Sequence, residues 1–493
     1  MSRVSRTLTV IFAVTAGLSP LMLTGTSQAA GPRLPERALG IVASWHRAVP
    51  VPGVAALNTG GVAQGFAMSC TTAGNCGVGG DYSTGTPSNP VNWPFVTDEV
   101  NGTWRHAEEV PGITVLDPNG GGIVDAMSCR SPGNCSAVGD YTNGSPGAYA
   151  PFLVSEVHGT WRNAMKVPGM ARLNPSGDSV VAHVSCSSAG NCSATGYYIP
   201  SPDKYEAFVV NEVNGTWHTA MNLPGIAALN TGGIALPIAI SCPAPGSCGV
   251  GGYYTGSGGG MQAFVASEIN GTWHTATKVP GTAALNVTGG ASTDALSCAS
   301  AGNCSAAGIY GDAKGITQLF VASEINGTWR KAIQLPGTAA LNKGNPDTGE
   351  MSCPAPGNCA LAGWYGVGTY PAQQAFVASE VNGTWRKAIE VPGTATLNAG
   401  TNAQANSVSC STAGNCSSFG YYTTDASGHS QAFVADEING VWRNAIQVPG
   451  TGALNAGKSV TIGTVSCGAS DNCSLTGSYD DGANLQVFVA SKS

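Results

Sequence analysis

Apolar and polar residues alternate in short runs along most of the chain, and turn residues separate the runs. In residues 292–336 the runs are STDALSC, CSAAGIY, LFVASEI and TWRKAIQL. The separators are the segment ASAGN, a loop of variable length, and Asn326-Gly327, a strong hairpin signal because a type I′ turn needs positive φ at both central positions. The last run has only eight residues between two turn signals, too few for a helix. The pattern therefore predicts four short antiparallel strands.

This unit recurs along the whole chain. A glycine and a tyrosine follow the second cysteine of each pair by four and six residues, and a phenylalanine begins each FVAS-like run. The repeat tryptophans, spaced 56 to 59 residues apart, are Trp45, Trp104, Trp161, Trp217, Trp273, Trp329, Trp385 and Trp442. The cysteine pairs, each with five residues between, are Cys70 and Cys76, Cys129 and Cys135, Cys186 and Cys192, Cys242 and Cys248, Cys298 and Cys304, Cys353 and Cys359, Cys410 and Cys416, and Cys467 and Cys473. Eight repeats of four strands predict an all-β fold, an eight-bladed β-propeller of four-stranded antiparallel blades.

The two ends of the chain complement each other. The segment SWHRAVPVPG at 44–53 is a fourth strand with no first three before it, and VFVASKS at 487–493 is a third strand without its turn. We therefore predict that the N-terminal strand completes the last blade and closes the ring, which also covers two strand edges. The predicted domain organisation is a signal peptide at 1–29, a linker at 30–40 and one propeller domain at 41–493.

The signal peptide is predicted from a short charged and apolar N-terminus. Arg3 and Arg6 precede an apolar run from Leu8 to about Leu18, and small residues follow, with cleavage expected near Ala29. The run is too short to span a bilayer, and no later stretch is apolar enough to do so. The sequence therefore predicts a secreted, extracellular protein without a membrane span.

Charge is sparse and acidic. Only 10% of residues are charged and the formal net charge is −7; removing residues 1–29 takes away two arginines and no acid, leaving −9. Nucleic-acid binding requires clustered Lys and Arg, so this composition argues against a nucleic-acid partner.

The cysteine pairs are interpreted as eight disulfides, one across the first hairpin of each blade. Metal binding favours CxxC or mixed Cys/His spacing, and no histidine keeps step with the pairs. Redox catalysis would not need eight copies. Disulfides suit an oxidising compartment, and each short loop is expected to contribute roughly 2 kcal/mol.

The unit SC-x5-C…GxY…FVASExNGTW resembles secreted bacterial β-propeller repeat proteins over nearly all of the mature chain, a resemblance that implies the fold and no particular activity. Its NGTW ending is similar to the Asp box of sialidase-type propellers, Ser-x-Asp-x-Gly-x-Thr-Trp. The segment SEINGTW at 323–329 lacks the aspartate and is one residue shorter, so it is interpreted as a turn of similar appearance.

One face of the predicted ring varies between blades. The disulfide loops and Asn-Gly turns share one face and hardly change, whereas the second-to-third-strand loops and the blade connections share the other and differ in length. Function in repeat scaffolds concentrates in such non-repeating loops. The candidate ligand-binding residues on this variable face are the aromatics Trp93, Tyr149, Tyr205 and Tyr370. They could stack on sugar rings, or they could pack between neighbouring blades.

Acids outnumber bases on the variable face by twelve to five. An acidic face could hold Ca²⁺, but no EF-hand-like spacing is present, so no cofactor is predicted. Of the channel-lining residues three positions before the first cysteines, only His183 and Glu350 are ionisable, and their blades are not neighbours. A further column pairs a glutamate, from Glu99 to Glu437, with the basic residue or histidine after each tryptophan, and Lys492 replaces the last glutamate. This column is interpreted as a solvated charge ring on the outer strands.

These observations favour a secreted recognition or scaffold protein that binds a carbohydrate or surface polymer through its variable face, as a monomer. The alternatives are a secreted propeller-type glycosidase or polysaccharide lyase and a purely structural cell-surface repeat protein. No Gly-x-Ser-x-Gly elbow with a suitable histidine is present, and no catalytic residue is predicted.

Overall fold

Eight antiparallel sheets form the architecture of the protein, in a computed structural model that describes residues 44–86, 89–144, 148–175, 177–368, 372–468 and 472–492. In seven of the sheets the strands follow one another in sequence order from the innermost to the outermost, and the outer strand is split into two short pieces; in the eighth sheet the outer strand is Val49–Pro50 of the N-terminal segment. The predicted eight-bladed propeller is confirmed. The signal-peptide and linker predictions, at 1–29 and 30–40, lie outside the described residues.

The blades are numbered 1 to 8 in chain order. The innermost strands are Ala63–Thr72, Ile123–Ser131, Ser179–Ser188, Ala235–Ala244, Ser292–Ser300, Asp347–Ala355, Ala403–Thr412 and Val460–Cys467. The second strands are Asn75–Thr86, Asn134–Thr142, Asn191–Ser201, Ser247–Thr255, Asn303–Gly311, Asn358–Gly366, Asn415–Thr423 and Cys473–Asp480. The third strands are Asn89–Val100, Tyr149–Val157, Lys204–Val213, Met261–Ile269, Thr317–Ile325, Gln373–Val381, Ser430–Ile438 and Leu485–Lys492.

The fourth, outer strands are shorter. Their first pieces are Thr103–Trp104, Thr160–Trp161, Thr216–Trp217, Thr272–Trp273, Thr328–Trp329, Thr384–Trp385 and Val441–Trp442. Their second pieces are Glu108–Glu109, Met165–Lys166, Met221–Asn222, Thr277–Lys278, Ile333–Gln334, Ile389–Glu390, Ile446–Gln447 and, for blade 8, Val49–Pro50. One-turn helices connect the blades at Val54–Leu57, Ile113–Leu116, Met170–Leu173, Ile226–Leu229, Thr282–Leu285, Thr338–Leu341, Thr394–Leu397 and Thr451–Leu454.

The N-terminal segment closes the ring. Val49 pairs with Val489 in the third strand of blade 8, and Trp45 forms a further bridge to Lys492. The innermost strands of consecutive blades contact one another, and that of blade 8 contacts that of blade 1. The eight innermost strands therefore surround a central channel, and the predicted closure is confirmed.

The core consists of layers between blades. The repeat phenylalanine of every blade, from Phe95 to Phe488, is completely buried. In the layer between blades 1 and 2, for example, Val96 packs with Phe152 and Trp161. Because each layer draws on two blades, every blade depends on its neighbours for its burial.

All eight predicted disulfides are present, and each joins the two strands of the first hairpin of its blade. They suit an oxidising, extracellular environment. The bonds link Cys70 with Cys76, Cys129 with Cys135, Cys186 with Cys192, Cys242 with Cys248, Cys298 with Cys304, Cys353 with Cys359, Cys410 with Cys416, and Cys467 with Cys473.

The predicted five-residue loop between the paired cysteines is wrong for blades 1 to 7. The strands continue past the cysteines, as where Ser300 pairs with Asn303, so that only a two-residue turn remains. The disulfide thus bridges paired strands and does not close an open loop. The second cysteines of these blades each lie one residue inside the second strand, at Cys76, Cys135, Cys192, Cys248, Cys304, Cys359 and Cys416.

The Asn-Gly turns at the other hairpin agree with the sequence. Asn326 and Gly327 have φ of 51° and 77°, as a type I′ turn requires. Asparagine and glycine tolerate these angles better than other residues do, which explains why this pair recurs in the repeat.

A ring of hydrogen bonds joins every blade to the next. The serine before the first cysteine of one blade accepts, at its hydroxyl, a hydrogen bond from the backbone N–H of the first cysteine in the following blade, at 2.8–3.0 Å. The Ser-Cys dipeptide of each unit is thus a contact between blades. The eight bonds run to Ser466 from Cys70, to Ser69 from Cys129, to Ser128 from Cys186, to Ser185 from Cys242, to Ser241 from Cys298, to Ser297 from Cys353, to Ser352 from Cys410 and to Ser409 from Cys467.

The interpretation of the glutamate column as a solvated ring is wrong. The seven glutamates are at most 6% exposed, whereas the basic residues after the tryptophans are exposed. Ser155 of blade 2 shows why: its hydroxyl donates to Glu212 of blade 3 at 3.2 Å and accepts from the indole N–H of Trp217 at 3.3 Å. Hydrogen bonds to the neighbouring blade offset part of the cost of burying these carboxyl groups.

The serine of this contact is replaced by aspartate in two blades. Asp436 of blade 7 forms an ion pair with Lys492, the residue that replaces the glutamate in blade 8; the Lys492 Nζ atom lies 3.2 Å from a carboxylate oxygen of Asp436. Asp98 of blade 1 meets Glu156 instead, and the indole of Trp161 donates to Asp98 at 3.0 Å. One oxygen of each carboxyl group is buried without another partner, so a proton shared between the two groups would satisfy both. Burial first, and then the charge of Asp98, raise the pKa of Glu156 to about 8.

This carboxyl pair predicts a pH dependence of stability that Asp98→Ser should reduce. A group whose pKa is raised on folding adds stability that is complete below its unfolded pKa and is lost as the pH rises through its folded pKa. We therefore expect the wild-type protein to lose stability as the pH rises from about 4.5 to about 8. In Asp98→Ser the hydroxyl can accept from Trp161 and donate to Glu156, as Ser155 does in the next blade, and the variant should gain about 2 kcal/mol over the wild type at pH 9.

Chemical denaturation at pH 6 and pH 9 measures this difference. Ser379→Asp is the reciprocal variant, because it places a second carboxyl group opposite Glu437, which Ser379 now hydrogen-bonds at 2.7 Å. It should introduce the same sensitivity between blades 6 and 7. Equal changes with pH in the wild type and both variants would show that the carboxyl pair does not share a proton.

Candidate ligand-binding face

The two faces of the ring differ in how they are built. On one face the disulfide hairpins of blades 1 to 7 are each tied to the turn after the third strand of the same blade, as where the N–H of Gly327 donates to the carbonyl of Gly302 at 2.8 Å. On the other face lie the second-to-third-strand loops and the one-turn helices. This variable face therefore carries the loops that differ between blades and opens onto the channel.

Trp93 is the predicted aromatic that packs against the hydrophobic core. Its indole N–H donates to the hydroxyl of Thr84 at 3.1 Å, and its ring packs against the core layers on both sides of blade 1. A Cβ atom on Gly120 would come within 2.9 Å of that ring, so the blade connection lies directly against it. These contacts favour the interpretation that Trp93 packs between neighbouring blades over the interpretation that it stacks on a sugar ring.

Tyr149 and Tyr205 occupy the same position in blades 2 and 3, three residues before the repeat phenylalanine, and both are half-buried. The backbone N–H of Tyr149 donates to the carboxylate of Asp178 in the next connection at 3.2 Å. Tyr370 lies outside the described residues. The predicted aromatics that the structure describes are thus not gathered into one site.

Tyr205 does belong to a cluster. Its ring lies 5.6 Å from that of Tyr197, at an interplanar angle of 50°. The connection to blade 4 fixes its backbone, because the N–H of Tyr205 donates to the carbonyl of Gly233 at 2.8 Å and the side-chain amide of Asn230 donates to its carbonyl at 3.1 Å. The aromatic pair is therefore held on the variable face by a rigid frame.

Tyr253 of blade 4 extends this cluster toward two acids. Burial, followed by the nearby Asp294, Tyr197 and Tyr205, raises the pKa of Tyr253 to about 12. Asp294 lies near the start of the innermost strand of blade 5, and Asp347 begins that of blade 6, where it pairs in register with Trp364. Innermost strands begin at the variable face, so these acids lie at the mouth of the channel.

The two aspartates interact electrostatically. Ser292 donates to Asp294 at 2.5 Å, and the N–H of Thr348 donates to Asp347 at 2.8 Å. Burial raises the pKa of both carboxyl groups, and the charge of Asp294 raises that of Asp347 further. In the described part of the chain neither forms an ion pair with a basic side chain. We call Tyr197, Tyr205, Tyr253, Asp294, Asp347 and Trp364 the mouth cluster.

His183 and Glu350 line the channel wall below the mouth. The hydroxyl of Ser407 donates to Glu350 at 2.5 Å. Glu350 is open to water inside the channel but enclosed by protein, and this setting raises its pKa to about 7, whereas burial lowers the pKa of His183 to about 4. His183 is in blade 3 and Glu350 in blade 6, and the structure gives no contact that makes them an acid–base pair.

Sequence reasoning missed Tyr197, Tyr253 and Trp364, although a signal was present. Each directly precedes the repeat tyrosine, in a column where the other blades carry different residues. The column is aromatic in blades 3, 4, 6 and 7, on both sides of the blade that carries Asp294. It reads Asp81, Asp140, Tyr197, Tyr253, Ile309, Trp364, Tyr421 and Ser478.

The described residues contain one group that could attract a metal ion, formed by Asp98, Cys135 and Glu156. Cys135 is bonded to Cys129, so it offers no thiolate. The remaining two carboxyl groups are the pair between blades 1 and 2, and they supply fewer oxygen ligands than the six to eight that Ca²⁺ takes. None of the helices among the described residues is long and apolar enough to span a membrane.

No protein-family model and no curated protein matches the chain. Solved structures with a similar backbone include Sqt1 from Chaetomium thermophilum bound to the N-terminus of ribosomal protein L10, with 9% identity, a TM-score of 0.49, and 87% of this chain and 99% of that chain covered. A polysaccharide lyase of family PL25, an ulvan lyase, has 11% identity and a TM-score of 0.41, with 73% and 90% covered.

A third similar structure is a subtype N11 neuraminidase-like protein of A/flat-faced bat/Peru/033/2010, with 12% identity, a TM-score of 0.32, and 63% of this chain and 86% of that chain covered. These are similarities of backbone arrangement. The function of this chain has to be argued from its own residues.

Proposed function

We propose that the protein is a secreted recognition protein that binds a carbohydrate or surface polymer at the mouth cluster. The observation that supports this proposal is the convergence of Tyr197, Tyr205 and Tyr253 beside two acids at an opening of the channel. Tyrosine rings offer flat apolar faces to sugar rings, and their hydroxyl groups and the neighbouring carboxyl groups offer hydrogen bonds that fix orientation.

Replacing Tyr205 should weaken binding. We expect Tyr205→Ala to reduce the affinity of residues 30–493 for a bound polysaccharide roughly tenfold, because it removes one stacking face and the neighbour of Tyr197. A glycan and polysaccharide screen, run with calcium and again with EDTA, finds the polymer, and calorimetric titration measures the affinity.

Tyr149→Ala is the matched control. Tyr149 has the same position in its blade and a similar exposure, but the residue that corresponds to Tyr197 is Asp140 there, so no aromatic pair is present. Its loss should leave the affinity within about twofold of the wild type, near the limit of measurable differences. Equal losses in the two variants, or no binding to any polymer, would contradict the proposal.

The enzymatic alternative rests on the neighbouring carboxyl groups of Asp294 and Asp347, since glycosidases cleave with such a pair. The polymer that binds most tightly should be incubated with the protein and assayed for new reducing ends and for unsaturated products. Turnover that Asp347→Asn abolishes would make the protein a hydrolase or lyase, whereas intact polymer supports recognition alone.

A further inference from the structure

The acids of the channel wall lack basic partners. Asp294 accepts a hydrogen bond from the hydroxyl of Ser292, and the backbone N–H of Ile309 also lies close enough to stabilise its carboxylate. Asp347 accepts from the N–H of Thr348, and the hydrogen bonds to Glu350 likewise come from a hydroxyl and an N–H group. Within the described ranges no Lys or Arg forms an ion pair with any of the three. The wall at blades 5 and 6 therefore carries three carboxyl groups whose ionisation no basic side chain of the protein stabilises, and a cation placed beside them would favour their charged form.

Tyr253 is a second, independent observation at the same place. Its side chain is more than nine-tenths buried, and its hydroxyl forms no hydrogen bond with a described residue but is not itself enclosed by protein. It lies close enough to Asp294, Tyr197 and Tyr205 for all three to influence its ionisation. A hydroxyl that has no protein partner and is not enclosed remains available to a ligand group or to water.

Aromatic faces beside unneutralised carboxyl groups match one kind of ligand group. A protonated amine is attracted by the face of a tyrosine ring and forms charge-assisted hydrogen bonds with carboxylates. An anionic polymer would disfavour the ionised form of the same acids, and a neutral sugar would not stabilise it, whereas an ammonium group would. The charge of the chain as a whole, −7, also favours a cationic ligand.

We propose that the mouth cluster recognises a polymer bearing free amino groups, and specifically an amino sugar polymer in which Asp294 and Asp347 hold the ammonium groups while Tyr197, Tyr205 and Tyr253 contact the sugar faces. This inference rests on the proposed function and names its ligand class. In this proposal the two aspartates distinguish polymers with free amino groups from polymers without them, and the tyrosines stack on the sugar rings of either kind.

The test compares two probes that differ only at the amine: oligomers of β-linked glucosamine and of N-acetylglucosamine with the same length. Titrated into residues 30–493 at about pH 6, the glucosamine oligomer should bind at least about tenfold more tightly, and added salt should weaken its binding. The double variant Asp294→Asn/Asp347→Asn should remove this preference. Asp480→Asn, an acid on the variable face of blade 8, should keep it.

Two further measurements make the result decisive. Asparagine is isosteric with aspartate, and the melting temperature of the double variant shows whether it folds as the wild type does. Tyr253→Phe keeps the ring and should retain the preference for the amine. If both oligomers bind equally and the asparagine variants do not change the ratio, the inference is overturned and the proposed function stands. If neither oligomer nor any other polymer binds, the proposed function fails with it.

Discussion

A protein that begins at residue 52 should lose its cooperative unfolding transition. Compared with residues 30–493, it lacks Trp45, Ala48 and Val51, all at most 7% exposed in the core layers on the two sides of blade 8. Loss of a buried tryptophan alone costs about 3–5 kcal/mol, a large part of the stability of an ordinary domain. The deletion also exposes the third strand of blade 8, Leu485–Lys492, as an unpaired edge.

Thermal unfolding followed by calorimetry measures this effect, and we expect a broad, low-temperature transition together with aggregation. A synthetic peptide of residues 44–53 provides the control, because added in excess it can restore the hydrogen bonds from the N–H groups of His46 and Val51 to the carbonyls of Ser491 and Val487. Recovery of a sharp transition with peptide supports closure by the N-terminal strand. An unchanged melting temperature without peptide would show that the ring does not need it.

Lys492→Glu should be the most damaging single substitution between blades. Lys492 is only 5% exposed, and it is the cation that balances Asp436, which also accepts hydrogen bonds from Ser417 and Trp45. The variant would place two carboxyl groups together between blades 7 and 8. Removing one partner of a buried ion pair costs about 3–5 kcal/mol. We expect a loss of that size at about pH 9, where the two carboxyl groups no longer share a proton that relieves their repulsion.

The double variant Asp436→Ser/Lys492→Glu tests this reasoning, because it recreates the Ser379–Glu437 contact between blades 6 and 7. We expect it to regain stability to within about 1 kcal/mol of the wild type, as compensating neighbours in a double-mutant cycle do. Chemical denaturation of the wild type, the two single variants and the double variant completes the cycle. A double variant no more stable than Lys492→Glu would mean that the two positions are not coupled.

Much of the fold could be predicted because each repeat marker has a local physical cause. Asn326-Gly327 determines a hairpin, the paired cysteines define the first hairpin, and the missing strands at the two ends require each other. The environment of the glutamates could not be predicted in the same way. Whether Glu212 faces water or Ser155 depends on how one blade packs on the next, which the spacing within a single unit does not specify.

The number of unpaired residues between the two cysteines of a disulfide also could not be predicted from the sequence pattern. Five residues separate Cys298 from Cys304, and this spacing fits an open loop as well as it fits a hairpin whose strands continue past the bond. The structure selects the second arrangement, since Ser300 pairs with Asn303. The added pairing lengthens both strands at the face that hardly changes between blades.

The candidate site was less predictable than the fold. Trp93 and Tyr205 were both selected from the sequence because they lie in variable loops. Only the structure shows that Trp93 packs beside the next blade connection, whereas Tyr205 packs beside Tyr197. Asp294 and Asp347 are 53 residues apart in sequence and meet because consecutive innermost strands lie side by side. A ligand site assembled from several blades is visible only when their order around the ring is known.

Hydrogen exchange with the most tightly binding oligosaccharide would show whether ligand binds at the mouth cluster. Residues 30–493 would be compared with and without the oligosaccharide. We predict new protection at 197–205 and 253–261 and at the starts of the innermost strands near 294 and 347, with the disulfide hairpins unchanged. Protection confined to the disulfide face, or to blades 8, 1 and 2, would contradict binding at the mouth cluster.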